Sequence, residues 1–204
     1  TYHILVEQEA GGISSAMITN SIMKIYGIDQ EQLHKDAIEN SPKILPAKVM
    51  SVGSMLLNSL EKDGEDVDVN IRSALEGESS SMLTIVTNEV GIEGAATLFY
   101  PELMEKLSDQ FGDYFILPSS IHETLILPDD GFMSVTMLKN MVTEINETQV
   151  MENERLTNEV YHYDSKEHVF ERADKFKARK MAKSNMRAFE ENTQKSKKTH
   201  EISL

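Results

Sequence analysis

The run Asp113-Tyr114-Phe115-Ile116-Leu117-Pro118-Ser119-Ser120-Ile121-His122-Glu123-Thr124-Leu125-Ile126-Leu127-Pro128 decides the fold. Tyr114 to Leu117 and Thr124 to Leu127 are short apolar runs rich in residues that suit a pleated surface. Each is closed by a proline, which cannot donate to a ladder. The reading is two strands, paired as a hairpin or side by side in one sheet. The polar centre, Ser119, Ser120, His122 and Glu123, is then gathered at one edge of that sheet, where its members can meet each other or a ligand. The rest of the chain reads as support for the sheet.

Immediately upstream, Met82 to Thr87 reads as a strand, Asn88 to Gly91 as a turn, and Ile92 to Tyr100 as a returning strand. The small run Gly94-Ala95-Ala96 in that strand lets another backbone or a ligand come close. Pro101, Glu102, the stripe Leu103, Met104 and Leu107, and Gly112 mark the start, face and end of a helix. Downstream, Ser134 caps a helix running to Glu147, and Val160-Tyr161-His162-Tyr163 alternates like a final strand. Connections this short favour antiparallel neighbours. The expected class is therefore α+β: a mostly antiparallel sheet with helices packed on one face.

The amino-terminal part adds a hairpin of His3–Glu7 with Ile13–Ile18 around Ala10-Gly11-Gly12. Thr19 or Asn20 caps a short helix stopped by Gly27. Asp29, with Gln32 as capping-box partner, opens another carrying Leu33, Ala37 and Ile38. Pro42 and Pro46 are expected to end helical structure, which resumes over Val52 to Leu60. Residues 61–81 are rich in acids, contain Gly64, Gly77 and the run Glu78-Ser79-Ser80-Ser81, and read as a mobile acidic connector. The domain expected from these elements spans residues 1–164.

Residues 165–204 differ in kind. They hold eleven Lys and Arg against six acids, a net +5, whereas residues 1–164 hold nine against 28, a net −19. The tail is helix-prone and free of proline and glycine. Its apolar residues split: Val169, Ala173 and Phe176 fall on one side at 100° per residue, and Ala178, Ala182, Met186 and Phe189 nearly opposite. One flat surface cannot bury both sets, so such a helix changes neighbour or meets a second chain. Phe176, Arg179, Lys180, Lys183 and Met186 are the residues expected to reach a protein partner or another copy.

So acidic a body repels nucleic acid and anionic membrane, which leaves only the basic tail to bind either. The 204 residues contain no cysteine, excluding disulfides and thiolate metal sites and fitting a reducing cytoplasm. No apolar run approaches the ~18 residues of a membrane span. The chain opens at Thr1 with a strand already under way, which raises the expectation of further residues upstream.

Three chemistries can be asked of the polar centre. A zinc-protease helix needs a second histidine four residues after the first, and His122-Glu123-Thr124-Leu125-Ile126 has isoleucine there. A serine hydrolase needs Ser119 or Ser120 within reach of His122 as base, with Glu123 adjacent. No glycine-flanked elbow is present, and no orienting carboxylate can be named. The plainer alternative has the serines bonding backbone in the turn while His122 and Glu123 bond neighbouring loops. Between these lies a shallow edge for a peptide or small ligand, formed by Asn88, Gly94, Ser119, Ser120, His122 and Glu123. The six histidines show no metal-ligand spacing, so neither metal nor cofactor is expected.

Five segments carry a resemblance: Thr87-Asn88, Gly94-Ala95-Ala96, Leu117-Pro118-Ser119-Ser120-Ile121-His122-Glu123, Glu144-Ile145-Asn146-Glu147-Thr148-Gln149-Val150 and Val160-Tyr161-His162-Tyr163-Asp164. In their order and spacing the chain resembles the uncharacterised family called domain of unknown function 5688, of Gram-positive gut bacteria. The likeness covers roughly Tyr2 to Asp164 and leaves the tail outside. Typical members of the family carry further residues before the start of this chain. The family implies no activity. The expectation is therefore a non-enzymatic cytoplasmic interaction domain, set against a small-molecule hydrolase at Ser119, Ser120, His122 and Glu123, and against nucleic-acid binding through the tail.

Overall fold

Burial along Tyr114–Leu117 sets the architecture. All four side chains are buried, Tyr114 and Ile116 in one cluster and Phe115 and Leu117 in another. Successive side chains of a strand point to opposite faces, so both faces of this strand must be covered. The computed structural model describes residues 1–9, 12–64, 66–77, 83–118 and 120–201, apart from the side chains of 7–9, 12–13, 188 and 190–201.

In chain order the elements are β1 (His3–Glu9), β2 (Gly12–Met17), α1 (Asn20–Tyr26), α2 (Gln30–Ile44), β3 (Ala47–Ser51), α3 (Val52–Lys62), α4 (Val69–Glu76) and β4 (Thr84–Asn88). They continue with α5 (Leu103–Phe111), β5 (Tyr114–Leu117), β6 (Thr124–Pro128), α6 (Val135–Thr148), β7 (Tyr161–Asp164), β8 (Val169–Arg172) and α7 (Ala173–Glu201). Tight 3-10 turns lie at Gly94–Phe99 and Glu152–Glu154. Six strands form one sheet in the order β3-β4-β6-β5-β7-β8. Every neighbouring pair is antiparallel. β5 and β6 make the hairpin read from the sequence, Ile116 opposite Ile126 and Leu117 opposite Leu125. β1 and β2 form a separate antiparallel ribbon; residues 10 and 11, read from the sequence as a turn, lie outside the described residues.

The α+β class is as expected, but helices cover both faces of the sheet. On one, Tyr114, Ile116, Ile126, Val86 and Tyr163 pack against Leu98 and against Leu107 of α5. On the other, Phe115 and Leu117 pack against Leu138 and Val142 of α6 and Ala173 of α7. Local signals place the helix starts. Thr19 accepts from the Ile22 amide, Asp29 from Gln32 at 2.8 Å, and Ser134 from Met137. Gly27 and Gly112 close α1 and α5 with positive φ of 67° and 71°.

Several expectations change. Residues 92–100 do not return as a strand but wind into the 3-10 turn; both edges of β4 are taken, by β3 and β6, so no ladder is open to them. α2 continues through Pro42 to Ile44. The proline sits in the last turn, where its missing N–H costs one bond, and the Leu45 amide closes the end on Ser41 O at 2.8 Å. Within the acidic segment 61–81, α4 forms behind an Asp68 cap, and Arg72 ties it to α3 through Glu61 at 2.6 Å; residues 78–82 lie outside the described residues. Residues 169–172, expected to be helical, instead form β8 on the edge of the sheet, with Tyr163 opposite Phe170. Helix begins at Ala173.

Candidate functional site

The polar centre of the β5–β6 hairpin is gathered with the end of β4 by backbone contacts. Asn88 is buried, and its side chain organises the turn that follows. Its Oδ1 accepts from the Val90 and Gly91 amides at 3.1 and 2.8 Å, and its Nδ2 donates to Ile92 O at 2.8 Å. Glu93 then takes a left-handed φ of 53°, which aims its amide at Nδ1 of His122, 3.1 Å away. Gly94 passes so close that a Cβ there would lie 2.1 Å from Thr87 Oγ1 and 2.6 Å from His122 O. The close approach read from Gly94-Ala95-Ala96 is therefore made by the chain's own backbone. Thr87 Oγ1 donates to His122 O at 2.7 Å, and the Ala95 amide to Ile121 O at 3.0 Å.

Both ring nitrogens of His122 are occupied. Nδ1 accepts from Glu93, so the tautomer that fits carries its proton on Nε2, which faces Glu154 Oε1 at 3.3 Å. Glu154 lies in the 3-10 turn before β7, whose backbone also holds the hairpin: the Ile121 amide donates to Glu154 O at 2.9 Å, and Ser120 bridges Arg155. Ser120 is buried, and its hydroxyl accepts from the amide of His122 at 3.0 Å rather than meeting the imidazole. Glu123 is half-buried and makes no hydrogen bond or ion pair to another described residue. Ser119 lies outside the described residues. The structure thus brings Asn88, Gly94, Ser120 and His122 together and leaves Glu123 aside. Glu93 and Glu154 were not foreseen: one is recruited by a backbone conformation, the other from a distant turn, and neither leaves a local signal. None of these residues lines the clefts beside Lys139 and Asp174 or beside Val69 and Glu76. Among the described residues, no three His, Asp or Glu converge to hold a metal.

A second constellation forms where α7 leaves the sheet. Phe176 stacks on His162, ring centroids 3.6 Å apart. His162 is fully buried, with Phe115 edge-on at 5.1 Å and Nε2 3.1 Å from Asp129 Oδ2. Burial pushes its pKa down, and the Asp129 hydrogen bond and charge counter only part of that shift. Asp164, also fully buried, accepts from Arg179 and Lys180, each at 2.9 Å, and from the amides of Lys166 and Glu167. Burial alone would raise its pKa, but those donors outweigh it and hold the carboxyl well below the usual range. Arg179 also reaches Glu167 and Glu171, and Lys183 reaches Glu167. Of the five tail residues expected to meet a partner, Phe176, Arg179, Lys180 and Lys183 are engaged by their own chain, and Met186 is exposed. The acids that receive them lie in β7, β8 and the turn between. Val160 to Tyr163 announced only the first of these.

Among the described residues, no helix is long and apolar enough to cross a membrane. The model of a family described as "Family of unknown function (DUF5688)" matches residues 1–165, and the chain belongs to that family. No curated protein and no solved structure matches the chain.

Proposed function

We propose that this member of a family without an assigned activity is a non-enzymatic interaction module working in the cytoplasm of a Gram-positive gut bacterium. The sheet is the platform and α7 the element that meets a protein partner or a second copy. The observation that carries the reading is the division of α7. Its first turns are clasped by His162 and the acids around Asp164, while residues 181–187 and Phe189 are exposed without exception. A helix anchored at one end and projecting at the other is suited to recognition. The His122 cluster supports the same reading, because its imidazole is used at both nitrogens to join three loops and, among the described residues, leaves no free base beside a hydroxyl. Salt-bridging of the tail's cations to the chain's own carboxylates likewise leaves fewer of them for phosphate.

Cross-linking in cells, comparing the full chain with one ending at Lys180, tests the proposal. Cross-links to protein that depend on residues 181–204 are the expected result; an identical pattern from both chains overturns it. A fluorophosphonate probe should leave the protein unlabelled. Labelling that disappears in Ser120→Ala would instead establish the hydrolase.

A further inference from the structure

The two apolar sets of α7 have different fates. Ala173 and Phe176 turn toward the body together with Arg179, Lys180 and Lys183. At 100° per residue, Ala178, Met181, Ala182, Met186 and Phe189 fall within an arc of about 140° on the other side. All five are exposed, Met181 by 56%, Met186 by 64% and Phe189 by 74%. We infer that this stripe is the interface with the same stripe of a second copy, the two helices running antiparallel about a twofold axis. The inference rests on α7 being the interaction element and names its partner.

Charge excludes some occupants and favours this one. Arg179, Lys180 and Lys183 already sit on the chain's own acids, Lys175 and Lys177 come before the stripe begins, and between Ala178 and Phe189 no charged residue falls within its arc. What the stripe offers is therefore an uncharged face, complementary to another such face rather than to an acidic surface. It is also self-complementary in size. Antiparallel, Ala178 comes level with Phe189 of the second copy and Met181 with Met186, so that an aromatic ring meets a methyl and two adaptable thioethers meet each other. The direction follows from the bodies. Nine basic against 28 acidic residues give residues 1–164 a net −19, and parallel helices would set two such bodies side by side. Antiparallel helices place them at opposite ends of the paired stripe, separated by more than the ~8 Å over which physiological salt screens charge. The contact is isologous and closes at two copies.

Sedimentation of the full chain from low to high micromolar concentration should show the mass rising from 23.0 kDa toward twice that value. Met181→Glu with Met186→Glu should hold it at monomer mass with an unchanged circular dichroism spectrum. The chain has no cysteine, so Ala178→Cys and Phe189→Cys proteins can be mixed under oxidation. A crossed disulfide in excess over either homodisulfide is expected, and dominant homodisulfides overturn the antiparallel register. A monomer at every concentration overturns the pairing. If tail-dependent cross-links to a different protein persist in that case, α7 remains the interaction element; if they vanish too, both readings fall. Flotation with anionic vesicles that requires the two methionines also overturns the pairing, in favour of a lipid surface.

Discussion

At the scale of single residues, Gly94 shows how tightly the loop cluster is built. The Cβ of an alanine there would meet Thr87 Oγ1 at 2.1 Å, His122 O at 2.6 Å and Asn88 N at 2.7 Å. Two of these neighbours are backbone atoms fixed by β4 and by the hairpin, so the strain cannot be relieved by a rotamer change. Gly94→Ala should cost about 2–3 kcal/mol, the upper range for overpacking a closed site. Removing the hydroxyl as well, in Gly94→Ala with Thr87→Ala, clears only the first contact and should not restore stability. Urea unfolding of the three proteins checks this, and a Gly94→Ala midpoint equal to that of the parent would refute the packing described. The small run was legible in the sequence as a place of close approach, but the identity of the neighbour was not. That neighbour is the carbonyl of His122, brought in by tertiary pairing that no local pattern encodes.

At the scale of elements, legibility divides along the same line between local and non-local causes. Caps at Thr19, Asp29 and Ser134, and the apolar runs of β5 and β6, carry their instructions within a few residues, and they form where they were read. Residues 92–100 have a strand-like composition but no free edge beside β4, so competition among strands decides their form. β8 is short, half-buried and set in a basic stretch with helical propensity, and it forms because β7 needs a partner on its outer side. α7 is likewise placed by groups outside it. The fully buried His162 under Phe176 faces Asp129, with Asp113 and Asp164 nearby, while Arg179 and Lys180 lie over the other ring at 5.6 and 5.2 Å from its centroid. Burial lowers the histidine's pKa, so the folded state favours neutral imidazole, and unfolding takes up a proton at mildly acidic pH. Stability is then full above the unfolded pKa of ~6.5, declines as pH falls below it, and levels off once the folded pKa is passed. The urea midpoint of the full chain should therefore drop between pH 7.5 and 5, above the range in which Asp164 protonates. His162→Gln should remove this dependence; a parent midpoint that does not move over the interval would contradict the assignment.

At the scale of the whole molecule, the question is where the folded unit ends. The matched stretch stops at residue 165, yet β8, Ala173, Phe176 and the cations that neutralise Asp164 all lie beyond it. A chain cut after Ser165 exposes the outer edge of β7 and uncovers His162. It also removes the cations and amides that hold the Asp164 carboxylate, and the Phe176 ring stacked on His162, whose packing alone is worth roughly 2 kcal/mol. Losing the packing of Phe170 on the α5 face adds roughly 2 kcal/mol. Against a total of ~5–15 kcal/mol, the shortened chain should melt at least about 10 °C lower than the full one, at 2–4 °C per kcal/mol for this size, or fail to fold. A chain ending at Ser184 keeps β8, the Phe176 stack and the cations on Asp164, Glu167 and Glu171, and gives up only helix that is exposed through Arg187. Its melting temperature should lie within a few degrees of the parent's, even though it lacks Met186 and Phe189 of the stripe assigned to self-association. Calorimetry on the three chains separates the possibilities. Equal melting of the two shortened forms would mean that the sheet is complete at β7 and that the clasp on α7 serves binding alone, whereas loss of folding in the longer form would make the projecting helix part of the core fold.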